Sequence, residues 1–253
     1  MRRYTTATMQ PAVTPITISI IPTVTAALTV KNLSGARHTE ESAVRTMALI
    51  TMPCAVGLAV LAEPIIRLLA SNYGAESVAT ATPILMYLGI AVIFNSTVLL
   101  FNAIMQAHGD VTTPVVNMLI GGIVKVIVNY ILVAIPSLNI IGAAIGTIVC
   151  YVTITALDLI AMRRTVTTHP AVARNLIRPA AAAAIMGAAT FFAEAVLRRV
   201  TNSNTIICLG ALVIAVIVYA IFVLVLQCIT YEDCLLLPKG EKIAKILHIK
   251  HKT

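Results

Sequence analysis

Apolar residues along this chain gather into blocks. They do not recur at the period of a strand or of a one-sided helix. The blocks fall at about 9–29, 46–70, 81–106, 114–135, 139–162, 179–197 and 205–228. A run of roughly 20 apolar residues crosses the ~30 Å hydrocarbon core of a bilayer as a helix. Spanning β-strands would alternate with period two over about ten residues, and these blocks do not. Backbone N–H and C=O groups in lipid must pair within their own segment, so each block is a helix. The pattern predicts an all-α, polytopic integral membrane protein with about seven transmembrane helices over 1–230, followed by a tail at 231–253. Pro22, Pro53 and Pro64 fall inside spans, where neighbouring helices can cover the freed carbonyls.

Polar joints separate the blocks: KNLSGARHTEE (31–41), SNYGAES (71–77), HGDVTTP (108–114), PSLN (136–139), RRTVTTHPAVARNLIR (163–178) and RRVTNSN (198–204). Composition agrees: the 253 residues are 59% hydrophobic and 11% charged, against about 25% charge in a soluble domain. The net charge of +8 could suggest nucleic acid, but there is no Trp, and Lys and Arg sit in the joints. They report topology instead. With the N-terminus outside, the cytoplasmic joints and tail hold twelve of them and the outer segments four; the reverse orientation swaps these totals. The positive-inside rule places the C-terminus in the cytoplasm. The charged start, MRRYTT, would then have to be exported ahead of the first span. A signal peptide is one alternative, but the run is long and rich in Pro and Thr. The simpler expectation is that an odd number of upstream spans is missing.

The fourth span raises the main chemical question. Lys125 is the twelfth of the 22 residues at 114–135, near the midplane, where insertion costs roughly 2.5 to 3.5 kcal/mol. Such a residue should face protein or water. Asn117, Gly121, Lys125 and Asn129 recur every four residues and form one stripe. The preceding span carries Asn95, Asn102 and Gln106. One reading is a hydrated cavity whose ammonium meets an anionic headgroup or takes part in ion coupling. The other is structural, with Lys125 held by Asn side chains and carbonyls of its own bundle. For the Asn residues, interhelical hydrogen bonds are the simpler expectation. The first span has a stripe of Gln10, Thr14, Thr17, Thr25 and Thr29, whose hydroxyls could equally bond the carbonyl four residues back.

Other charges read as local. Glu63 with Arg67 and Glu194 with Arg198 have the i,i+4 spacing of ion pairs. Asp158 lies beside Arg163 and Arg164 as an interfacial anchor. His38, His108 and His169 lie in joints without ligand spacing, so no metal site is expected. Cys54, Cys150, Cys208, Cys228 and Cys234 show no C-x-x-C pair, and no disulfide is implied. Gly142 and Gly146 suit close helix packing. The tail PKGEKIAKILHIKHK (238–252) reads as a basic amphipathic segment on anionic lipid, or as a solvated tail. No phosphate-binding G-x-x-x-x-G-K-[ST] loop and no hydrolase motif is present. The chain is therefore expected to be a transporter, not an enzyme, and to need no cofactor.

Several stretches together resemble a known family. They are MPCAVGLAVLAEPIIRLL (52–69), TPILMYLGIAVIFNSTVLLFNAIMQAHGDVTTPVVNMLIGGIVKVIVNYILV (82–133), LNIIGAAIGTIVCYVTITALDLIAMRR (138–164) and LLLPKGEKI (235–243). They are similar to polysaccharide flippases of the stage V sporulation protein B type. Those are relatives of the MurJ/MviN lipid II flippases in the MATE-like exporter superfamily. The resemblance implies helices eight to fourteen of about fourteen, the second of two bundles around a central cavity. It implies export of an undecaprenyl-linked cell-envelope precursor, with the bilayer, a lipid-linked glycan phosphate and an N-terminal half as partners. It also implies that Gln10, Thr14 and Thr17 line the cavity. A multidrug exporter of the same superfamily is the alternative, but cationic drugs favour buried carboxylates; the chain offers none near the midplane and offers Lys125, which favours an anionic lipid phosphate. An inactive truncated membrane protein or scaffold is the other alternative.

Overall fold

The computed structural model describes residues 14–69, 74–201 and 203–228. Among these, every regular element is an α-helix: α1 (Thr14–Thr29), α2 (Leu33–Val60), α3 (Ala62–Leu69), α4 (Ala75–Ala107), α5 (Thr112–Val133), α6 (Asn139–Thr165), α7 (Val172–Val200) and α8 (Asn204–Val225). Six of them, α2 and α4 to α8, are long and apolar enough to cross a bilayer. The first expected span, 9–29, begins outside the described residues; its described part is α1. The tail 231–253 also lies outside them.

The helices run further than the apolar blocks. The joint expected at 31–41 is mostly helix. Asn32 caps α2 by accepting a hydrogen bond from the backbone N–H of Gly35 at 3.0 Å, and Arg37 pairs with Glu41 at 2.9 Å. Polar residues end a membrane span without ending a helix when a cap and an i,i+4 pair support the first turns. Likewise α7 begins at Val172, ahead of the expected 179, with Pro179 inside it.

The second expected span, 46–70, is divided between two helices. The helix stops at Leu61, whose N–H bonds Gly57 O, and α3 restarts at Ala62. Pro64 therefore occupies the first turn of a new helix, where its missing N–H costs little.

Packing order follows from contacts between elements. The helix α6 packs against both α5 and α4; α4 packs on α2, α2 on α7, and α7 on α8. α1 sits against α2 and α4, and α3 against α4 and α8. α4 and α5, although joined by a short turn, are not packed along their lengths. The largest buried cluster joins Ile20 and Val24 of α1, Val44 and Met47 of α2, Leu100, Phe101, Ile104 and Met105 of α4, and Met162 of α6.

Polar clamps close both ends. At the end holding the joints near 31, 108 and 168, the fully buried Glu40 carboxylate meets His108 Nε2 at 2.8 Å and accepts from Thr168 Oγ1. That one carboxylate ties three separate connections. At the opposite end Glu63 pairs with Arg67 at 2.8 Å, as the spacing predicted. Arg198 bridges Glu194 at 2.7 Å and Glu63 at 3.1 Å, and Asn204 Nδ2 donates to Pro64 O at 2.9 Å. These bonds fasten α3 to α7 and α8.

The α5–α6 hairpin is the tightest contact, and glycine makes it possible. A Cβ on Gly142 would lie 2.8 Å from the carbonyl carbon of Leu132. Backbone cannot swing aside as a side-chain tip can. Gly142→Ala is expected to lower unfolding stability in detergent by about 1–3 kcal/mol. Gly122 on the same hairpin faces open space, and Gly122→Ala is expected to raise stability by about 0.5–1 kcal/mol.

Candidate functional site

The stripe on α5 turns towards α6. Asn117 meets Asp158, Gly121 seats Ile154, Lys125 lies within electrostatic reach of Cys150, and Asn129 packs on Gly146. Each step of four residues up α5 is matched by a step of four down α6. The seam is therefore an antiparallel ladder with polar groups on several rungs.

Asn117 Nδ2 donates to Asp158 Oδ1 at 2.8 Å, and both residues are buried, Asp158 completely. This corrects the reading of Asp158 as an interfacial anchor. Arg163 and Arg164, five and six residues on, point roughly 140° and 120° away around a helix of about 3.6 residues per turn. Both are exposed, while Asp158 looks inward. The sequence carried a signal for this pair: Asn117 on one stripe and an acidic residue inside the next apolar block.

Asn102 of α4 is buried, with Nδ2 only 3.6 Å from Met118 Sδ of α5. Asn95 is half-buried and Gln106 is exposed. Ser96 and Thr97 are buried polar neighbours that the stripe argument missed. Thr97 Oγ1 donates to Ile93 O at 2.8 Å, the usual way a membrane helix satisfies a hydroxyl. On α1, Thr29 Oγ1 bonds Thr25 O at 2.8 Å, while Thr25 Oγ1 donates across to Ala107 O at 3.1 Å. Thr14 and Thr17 lie on the first turn of α1, with side chains outside the described set, and Gln10 lies outside the described residues.

Three side-chain oxygens on α4, α5 and α6 are buried without a hydrogen-bond partner: Asn102 Oδ1, Asn129 Oδ1 and Asp158 Oδ2. Lys125 is half-buried, and among the described residues its ammonium makes no hydrogen bond or ion pair. Groups of this kind in an apolar bundle carry a desolvation cost that water, an ion or a ligand can remove. The seam offers one cation and several acceptors, a set able to hold an anionic group, ordered water or a proton. Among the described residues no cluster of three or more His, Cys, Asp or Glu could hold a metal ion.

Fold and seam together define a multi-pass α-helical membrane protein with polar groups set into its apolar bundle. The sequence profile of the lipid II flippase MurJ family matches residues 4–210, and the chain belongs to that family. Among solved structures, the chain is similar to a lipid II flippase MurJ in an inward closed conformation, with a TM-score of 0.62 and 19% sequence identity. The similarity covers 84% of this chain and 42% of the solved one, so the chain spans less than half the length of that relative. No curated protein matches.

The buried Asn117–Asp158 bond supplies its own test. Asn117→Leu strands the carboxyl and is expected to cost about 1–3 kcal/mol in detergent unfolding. Adding Asp158→Leu removes the stranded acceptor, and the double variant should recover most of that loss.

Proposed function

We propose that this chain is one bundle of a flippase for a lipid-linked cell-envelope precursor, with Lys125 contacting the precursor's phosphate and Asn129 beside it. Family membership supports the substrate class. The observation that carries the site is the Lys125 ammonium, set mid-span, half-buried and unpaired among the described residues. A cation kept there for structure would be met by a carboxylate or by several carbonyls. Asp158, the carboxylate on the facing helix, is turned to Asn117 instead. Asn117 and Asn102 then serve as interhelical glue, and Gln10, Thr14 and Thr17 as part of the cavity wall contributed by the first helix.

The mechanism in this reading is alternating access. A second bundle, from an N-terminal half or an equivalent partner chain, faces this one across a hydrated cavity, and rocking exposes the cavity to each side in turn. An ion gradient or the membrane potential supplies the energy. The protein sits in the cell membrane with the Glu40–His108–Thr168 end in the cytoplasm, where the positive-inside count also places the C-terminus.

A structural and a transport role for Lys125 separate in one experiment. In cells producing this chain with its companion bundle, Lys125→Met is expected to cut precursor translocation by about ten-fold, one charge-assisted hydrogen bond. Unfolding stability should hold, because no partner is stranded. Lys125→Arg should keep more activity than Lys125→Met. Unchanged translocation in the Met variant, or a loss that tracks a fall in stability, would overturn the proposal.

A further inference from the structure

Away from the α5–α6 seam, a cavity of about 310 Å³ opens at the end of the bundle that holds the Glu40 clamp. Its wall comes from the first turns of α2 and α7 and from Gln227 and Cys228, just past the end of α8. Arg37, Arg45, Arg174 and Arg178 line it, with Glu41 as the one acidic side chain among the described residues. Glu41 is already engaged: its Oε1 accepts from Arg37 Nε at 2.9 Å and from the backbone N–H of Ala171 at 3.0 Å. Arg178 Nη1 reaches Gln227 O at 3.4 Å, a long contact. Arg174 makes no hydrogen bond or ion pair among the described residues. Among the described residues the lining thus carries four guanidinium groups and one carboxylate, a net positive charge in a concave site.

We propose that this pocket binds a phosphate group, supplied by the headgroup of an anionic phospholipid. Guanidinium presents a planar fork of donors that matches phosphate oxygens two at a time. The position favours a lipid source. Ile177, Leu224 and Val225, on the same ends of α7 and α8, are exposed and apolar. That surface faces acyl chains at the depth where the arginines sit. Basic pockets between transmembrane helices are suited to such headgroups. The site is independent of Lys125 and of the transport reading.

The test uses the full chain, purified in an uncharged detergent. Binding of phosphatidylglycerol and of phosphatidylcholine is counted by native mass spectrometry, with inorganic phosphate as competitor. Arg174→Gln with Arg178→Gln is the pocket variant; Arg163→Gln with Arg164→Gln removes the same charge from exposed positions outside the pocket at the same end. The pocket variant should bind phosphatidylglycerol at least about ten-fold more weakly, while the control stays within about two-fold. Weak competition by millimolar inorganic phosphate supports the lipid source. Inorganic phosphate bound as tightly as the lipid, with the same sensitivity to the pocket variant, supports the phosphate site and replaces its source with a soluble one. No preference for phosphatidylglycerol over phosphatidylcholine, together with no binding of inorganic phosphate, overturns the proposal. So does equal weakening by the two double variants.

Discussion

Every polar group in this bundle answers to one constraint: hydrocarbon offers it no water, so its partner must come from the protein or from a guest. The hydroxyls show the cheapest answer. Thr97, Thr147, Thr153, Thr155 and Thr190 each return a hydrogen bond to the carbonyl four residues back on their own helix. The carboxylates need answers from other elements, and those answers shape the fold. Glu40 draws His108 and Thr168 to itself, and Glu63 and Glu194 share Arg198. Each end of the bundle is thus fixed by an acid that could not be buried alone.

The α5–α6 seam applies the same constraint at mid-depth. Small residues let the two backbones approach, as is common where membrane helices meet without a hydrophobic drive. Gly142 takes Leu132, and Gly146 takes the side chain of Asn129. Close approach then allows Asn117 and Asp158 to pair out of reach of solvent. On the same seam the Lys125 ammonium makes no hydrogen bond or ion pair among the described residues.

Charge is divided by depth. The mid-span polar groups are sparse and mixed, with one ammonium among amides and a carboxyl. Four arginines gather in one pocket at the end that also holds the Glu40 clamp. In the proposed flippase reading, a sparse site at mid-depth suits a guest that must leave again, since binding that is too strong would halt a transport cycle. A dense basic pocket at the boundary suits a resident anion, whose exchange need not be coupled to transport.

The amino-acid sequence determined that this chain is a bundle of apolar helices long enough to cross a membrane, and that Asn117, Gly121, Lys125 and Asn129 share one face of the fourth apolar block. Those facts follow from the length and side-chain periodicity of single segments, which bilayer thickness and helix geometry fix locally. It also announced the Glu63–Arg67 and Glu194–Arg198 pairs, because four residues on one helix are always neighbours. It did not announce the bonds that join distant segments. Glu40 with His108 and Thr168, Asn117 with Asp158, Arg198 with Glu63 and the four-arginine pocket all join residues whose proximity depends on which helices pack together and in what register. Asp158 shows the difference plainly. By sequence distance its neighbours were two arginines; by helix rotation its side chain pointed away from both and into α5. Only the tertiary structure chose its partner, because in an apolar interior the choice falls to whichever donor packing brings within about 3 Å.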